Sequence, residues 1–143
     1  MKVDPKTAGL EDPKINIRLK LAGLWTATVF LYVYGDFFGL FQPGEVAQLY
    51  AGKVPHLGPS TQGLVLFCAV AVTIPSLMVF LSLVLRPPIN RMLNVVLGVV
   101  YTVFMAVTLP GAWWFYVFLG IVEMVLTLAI VWYAWAWPRA EST

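Results

Sequence analysis

Long apolar stretches alternate along this chain with short connections rich in Pro, Gly and charge. Apolar residues dominate 17–38, 61–85, 91–109 and 113–137, and a helix crosses the hydrocarbon core with about 20 such residues. The pattern predicts an all-α fold: a four-transmembrane-helix bundle joined by short connections. The connection over 39–60 is too polar to span, but its 43–51 segment has an apolar face of Val46, Leu49 and Tyr50. With Pro43 near the first position and Glu45 in the first turn, it predicts a short amphipathic helix at the membrane surface. Pro75 interrupts the second span, so a kink over 71–75 and an unpaired carbonyl one turn earlier are expected. The basic segment 86–91 reads as a tight turn before the third span, and Pro110-Gly111 turns the chain into the fourth. The organisation expected is a polar N-terminal tail over 1–16, one transmembrane domain over 17–138 and a C-terminal tail over 139–143.

Composition narrows the class further. The 143 residues are 60% hydrophobic and 11% charged, with a mean hydropathy of +0.83. A soluble domain has about a quarter of its residues charged. A soluble enzyme, a nucleic-acid-binding domain and a disordered tail are therefore excluded, and the lipid bilayer is the first partner. The first apolar segment runs into Tyr34-Gly35-Asp36 with no small-residue exit, so it reads as retained and not as a signal peptide. Placing the N-terminus in the cytoplasm puts Lys2, Lys6, Lys14, Arg18, Lys20, Arg86, Arg91 and Arg139 inside and Lys53 alone outside. That bias predicts cytoplasmic termini. Trp113 and Trp114 would mark the outer interface, and Trp132, Tyr133, Trp135 and Trp137 the inner one.

Candidate chemistry is sparse. A single cysteine excludes an internal disulfide or a multi-thiolate metal site, and one histidine excludes a bis-histidine haem. Cys68 reads as a small core residue, and His56 as a surface residue of the outer loop. No phosphate loop, metal-ligand cluster or nucleophile constellation is present, so no cofactor, metal or catalytic residue is expected. Glu123 is the exception to this blandness. By a rise of about 1.5 Å per residue it lies about 3 Å from the middle of the fourth span. A carboxyl at that depth must be hydrogen-bonded in neutral form or closely paired. Tyr116, Gly120 and Thr127 share its helical face, which predicts that this face packs inside the bundle. The first helix offers Thr28, Tyr32, Gly35, Asp36 and Gly39. The third offers Asn94, Gly98, Tyr101, Thr102 and Met105, and Thr73 and Ser76 flank Pro75 on the second. Tyr32, Thr73, Tyr101 and Thr102 fall within about 6 Å of the midplane, so each is a candidate partner of Glu123. Asp36, near the outer end of the first span, completes the candidate polar site.

Three segments carry a resemblance: the stretch from Tyr32 to Gly44, the one from Pro75 to Leu85, and Pro110-Gly-Ala-Trp-Trp-Phe-Tyr116. They look like an uncharacterised bacterial family of four-helix membrane proteins, a domain of unknown function. The resemblance extends over about 16–138. It implies the topology and a bacterial inner-membrane location, and it brings no activity. The architecture is distantly similar to DoxX-like proteins. The small multidrug-resistance transporters are also four-helix chains with an essential membrane Glu, but theirs lies on the first helix, where this chain has only the peripheral Asp36. Their dual orientation also requires a weaker charge bias.

The function expected is that of a non-enzymatic integral membrane protein working through helix packing, as a homo-oligomer or as a small subunit beside other membrane subunits. The alternative is a small transporter or proton-coupled carrier centred on Glu123.

Overall fold

The computed structural model describes residues 13–137. Residues 1–12 of the N-terminal tail and all of the C-terminal tail fall outside that range, including Lys2, Lys6 and Arg139, as does Pro138 at the end of the expected transmembrane domain. The elements are α1 (Ile17–Gly39), α2 (Glu45–Tyr50), β1 (Lys53–Val54), β2 (Gly58–Pro59), α3 (Gln62–Val84), α4 (Pro87–Thr108) and α5 (Trp114–Trp135). The four long helices are each long and apolar enough to cross a membrane, and together they form an all-α bundle.

The helix starts follow local chemistry. The Asn16 side chain accepts from the Arg18 amide at 2.9 Å, and Thr61 Oγ1 accepts from the Leu64 amide at 3.2 Å. Each supplies a partner for an amide that the first turn leaves free. The third span begins at Pro87, four residues before the expected position, and the basic segment 86–91 is mostly helix rather than turn. Proline lacks the N–H that would be orphaned in a first turn, and its fixed φ suits that position. Arg86 before it is extended, as a residue preceding proline prefers.

The loop over 40–61 holds the predicted short helix and an unpredicted hairpin. Gly44, at φ 88°, is the N-cap of α2, so Pro43 lies outside the helix that was expected to include it. The strands β1 and β2 pair antiparallel, Lys53 against Pro59 and Val54 against Gly58. His56 takes a left-handed φ of 62° in the turn between them. Its Nε2 lies 3.4 Å from Oε1 of the buried Glu45. This contact ties the hairpin to α2 and gives His56 a partner that sequence reading had not supplied. Val46, Leu49 and Tyr50 are exposed on α2.

Helix α1 packs between α3 and α5, and α5 packs between α1 and α4. Helices α3 and α4 meet at few points. The apolar core of Leu21, Trp25, Met78, Tyr101, Ile130 and Ala134 lies toward the end of the bundle where α1 and α4 begin and α3 and α5 finish. This is called the basic end below, and the opposite one the loop end. Trp25 meets Tyr101 edge-on, with ring centroids 6.0 Å apart. The sides of the bundle carry exposed Phe30, Leu66, Phe80, Val107 and Val125, the surface of a multi-pass membrane protein.

Two glycines set how closely α4 and α5 approach. A Cβ on Gly98 would stand 2.7 Å from the Val131 side chain and 3.1 Å from the Thr127 carbonyl. One on Gly120 would stand 2.6 Å from Leu109 and 2.9 Å from Met105 Sδ. Small residues permit such approaches between transmembrane helices.

Candidate functional site

Glu123 faces the interior of the bundle, with 3% of its surface exposed. Gly120 and Thr127 on the same face are also buried. The carboxyl oxygen Oε2 is buried and has no hydrogen-bond partner. The Tyr32 hydroxyl, from the middle of α1, is the second such atom among the described residues. The helices that carry the two groups, α1 and α5, pack against each other. Asp36 itself lies one turn beyond Tyr32, and its side chain is exposed. Tyr32 also packs on Tyr101, with ring centroids 6.2 Å apart.

The other candidates are engaged elsewhere. The Tyr101 hydroxyl donates to the Ala71 carbonyl at 2.6 Å. That carbonyl stands four residues before Pro75, where the missing N–H leaves it without its helical partner. Tyr101 thus completes the backbone of α3 and does not reach Glu123. Thr102 donates to the Gly98 carbonyl at 2.7 Å, and its oxygen lies 2.7 Å from Thr127 Oγ1. The threonine pair joins α4 to α5 one turn from the acid. Thr73 is exposed on α3 and donates to the Ala69 carbonyl of its own helix at 2.8 Å. Tyr116 bonds Thr108 at 3.1 Å near the loop end. Of the expected constellation, Tyr32 and Glu123 hold buried, unpartnered polar atoms on adjacent helices, Asp36 is exposed one turn from Tyr32, Tyr101 and Thr102 are engaged beside them, and Thr73 stands apart.

The densest polar cluster lies at the basic end. Asn94 Oδ1 accepts from Trp25 Nε1 at 2.7 Å and from Ser82 Oγ at 3.4 Å. Its amide nitrogen donates to the Asn90 carbonyl at 2.9 Å and to Asn90 Oδ1 at 2.7 Å. Asn90 Nδ2 donates in turn to the Ser82 carbonyl at 2.6 Å. All four side chains are buried, and both donors and both lone pairs of Asn94 are used. Nearby, Arg18 donates to the Leu83 carbonyl at 2.7 Å and Arg91 to the Trp135 carbonyl at 3.1 Å. Those carbonyls belong to the last turns of α3 and α5, which have no helical donors of their own. Cations there also oppose the negative end of the helix dipole.

Sequence reading placed Asn94 on the interior face but missed Asn90, which fell in the supposed turn. It treated Arg18 and Arg91 only as topology charges. The signal available was the Asn90/Asn94 spacing, which puts two amides on one helical face.

No curated protein and no solved structure matches the chain. A family model does match, over residues 12–143. It spans all four long helices, the buried Glu123 and the asparagine cluster, and the chain therefore belongs to the family of unknown function DUF6326.

Proposed function

We propose that this protein is a non-enzymatic membrane protein that acts through lateral helix contacts, as a homo-oligomer or as a small subunit of a membrane complex. One observation carries the reading. A groove of about 220 Å³ runs along the side of the bundle between α1 and α3, lined by Thr26, Val29, Phe30, Ser76 and Val79. Thr26 and Ser76 lie near the middle of their spans, and each hydroxyl donates to a carbonyl of its own helix at 2.8 Å. Small hydroxyl residues bordering a recess at mid-membrane suit the close approach of another transmembrane helix. Beside the groove, α3 buries only Pro75, Met78 and Ser82, so most of its surface is open to a neighbour. The reading places the protein in a bacterial inner membrane with both termini cytoplasmic, supported by the positive charges gathered at the basic end.

Cysteine crosslinking tests the contact in native membranes. In a Cys68→Ala background, Ser76→Cys should give a disulfide-linked species, whereas Val125→Cys on the exposed side of α5 should not. Equal yields at the two positions, or none at Ser76→Cys, would sink the proposal.

A second reading rests on the unpartnered Glu123 Oε2 and Tyr32 hydroxyl. Two buried polar atoms without partners, on adjacent helices, suit a carrier that takes up a proton or small polar solute there. Vesicles loaded with a pH-sensitive dye would show protein-dependent proton entry that Glu123→Gln abolishes. Entry unchanged in that variant would leave the acid a structural part.

A further inference from the structure

At the basic end, the start of α1 and the end of α5 border an open cleft of about 470 Å³, lined by Lys14, Ile15, Ile17, Lys20, Tyr133 and Ala136 among others. We propose that this cleft binds the headgroup of an anionic phospholipid, with Lys14 and Lys20 on the phosphate and the apolar wall against the glycerol and upper acyl chain. The inference is independent of the α1–α3 groove and of Glu123.

Charge argues for the sign of the ligand. Among the described residues the acids are Asp36, Glu45 and Glu123. None of these three lies at this end, so among the described residues neither lysine has a carboxylate partner there. Arg18 and Arg91 are committed to the carbonyls of Leu83 and Trp135. Among the described residues, Lys14 and Lys20 are the cations that line the cleft. Lys20 is positioned, its ammonium lying 5.1 Å from the centre of the Tyr133 ring. That contact orients the cation and still leaves its N–H donors for an anion.

Position argues for a lipid rather than a free anion. Lys20 is in the first turn of a membrane-spanning helix, about 4.5 Å along the axis from its start. Trp132 and Trp135 are exposed on the last turn of α5, the level at which aromatic residues meet headgroups. The walls contributed by Ile15, Ile17 and Ala136 would gain nothing from inorganic phosphate but would cover a glycerol backbone. Basic pockets between transmembrane helices at this depth suit phosphate headgroups.

The test is native mass spectrometry of the full chain, purified in mild detergent with equal amounts of phosphatidylglycerol and phosphatidylcholine. Wild type should retain phosphatidylglycerol selectively. Lys14→Gln and Lys20→Gln should each reduce that selectivity about fivefold. Arg86→Gln removes one charge from the same end outside the cleft and should leave it unchanged. Ala136→Phe fills the cleft without altering charge and should lower retention, with helix content by circular dichroism confirming that each variant is folded. Loss of selectivity in Arg86→Gln equal to that in the lysine variants would reduce the effect to overall charge and overturn the proposal. Displacement of the lipid by excess inorganic phosphate would overturn it too, as would wild type binding both lipids alike.

Discussion

Single side chains in this bundle carry unequal weight, and the glycines show it. At Gly98 an added methyl would press on the Thr127 carbonyl as well as on Val131, and a helix backbone cannot step aside as a side chain can. At Gly120 the obstacles are the ends of Leu109 and Met105, both flexible. Gly98→Ala should therefore destabilise by about 1–3 kcal/mol, and Gly120→Ala by less. Gly63→Ala, with open space around it, should be near neutral. Thermal unfolding in detergent would rank the three, and a larger loss at Gly120 would contradict the geometry. Asn94→Leu keeps the volume but leaves Trp25 Nε1, Ser82 Oγ and Asn90 Oδ1 short of a partner. Its expected cost is about 2–3 kcal/mol, visible as a lower midpoint in Trp fluorescence. These pairings were only partly legible beforehand. Rise arithmetic gives a residue's height in the membrane, which is why Tyr101, Thr102 and Thr73 all looked able to reach Glu123. It does not say which helix stands opposite, and that decided where each hydroxyl went.

At the level of elements the chain was far more readable. Spans of this length and apolarity can hardly do anything but cross a bilayer, and Pro75 had to leave a carbonyl free wherever α3 packed. What sequence could not reveal was the donor, because Tyr101 reaches Ala71 from a helix whose azimuth is set by packing. The pair makes a coupled prediction. Tyr101→Phe should cost about 1 kcal/mol in a background where Pro75 leaves Ala71 unpaired. In Pro75→Ala the restored N–H serves that carbonyl, so the same substitution should cost distinctly less. A double-mutant cycle measures the difference, and strict additivity would show that the hydroxyl does not substitute for the lost backbone bond. The hairpin after α2 was invisible in advance because two-residue strands have no periodicity to detect. Its turn also depends on His56 adopting a left-handed conformation that nothing in its neighbours demands.

Across the whole molecule, the two ends are built on different principles. The loop end is tied by short-range turns, the contact between His56 and Glu45 and the Tyr116–Thr108 hydrogen bond. The basic end is tied by amides and guanidiniums that bridge different helices. Reporters fused after Thr143 and inserted within 44–60 should land on opposite sides of the membrane, and the same side for both would break the four-span count. The bridging at the basic end also has a consequence for biosynthesis. Trp25 and its acceptor Asn94 are 69 residues apart, and a ribosome adds about 5–20 residues per second. The first helix therefore waits several seconds, with its indole N–H unpaired, before the third long helix, α4, is made. For most of that interval α3 is still incomplete, and α5 follows later still, so Leu21 and Thr28 of α1 lack their cover. A chaperone or insertion factor that shields one polar-faced helix has its longest opportunity there, and a ribosome pause placed before residue 90 would lengthen it.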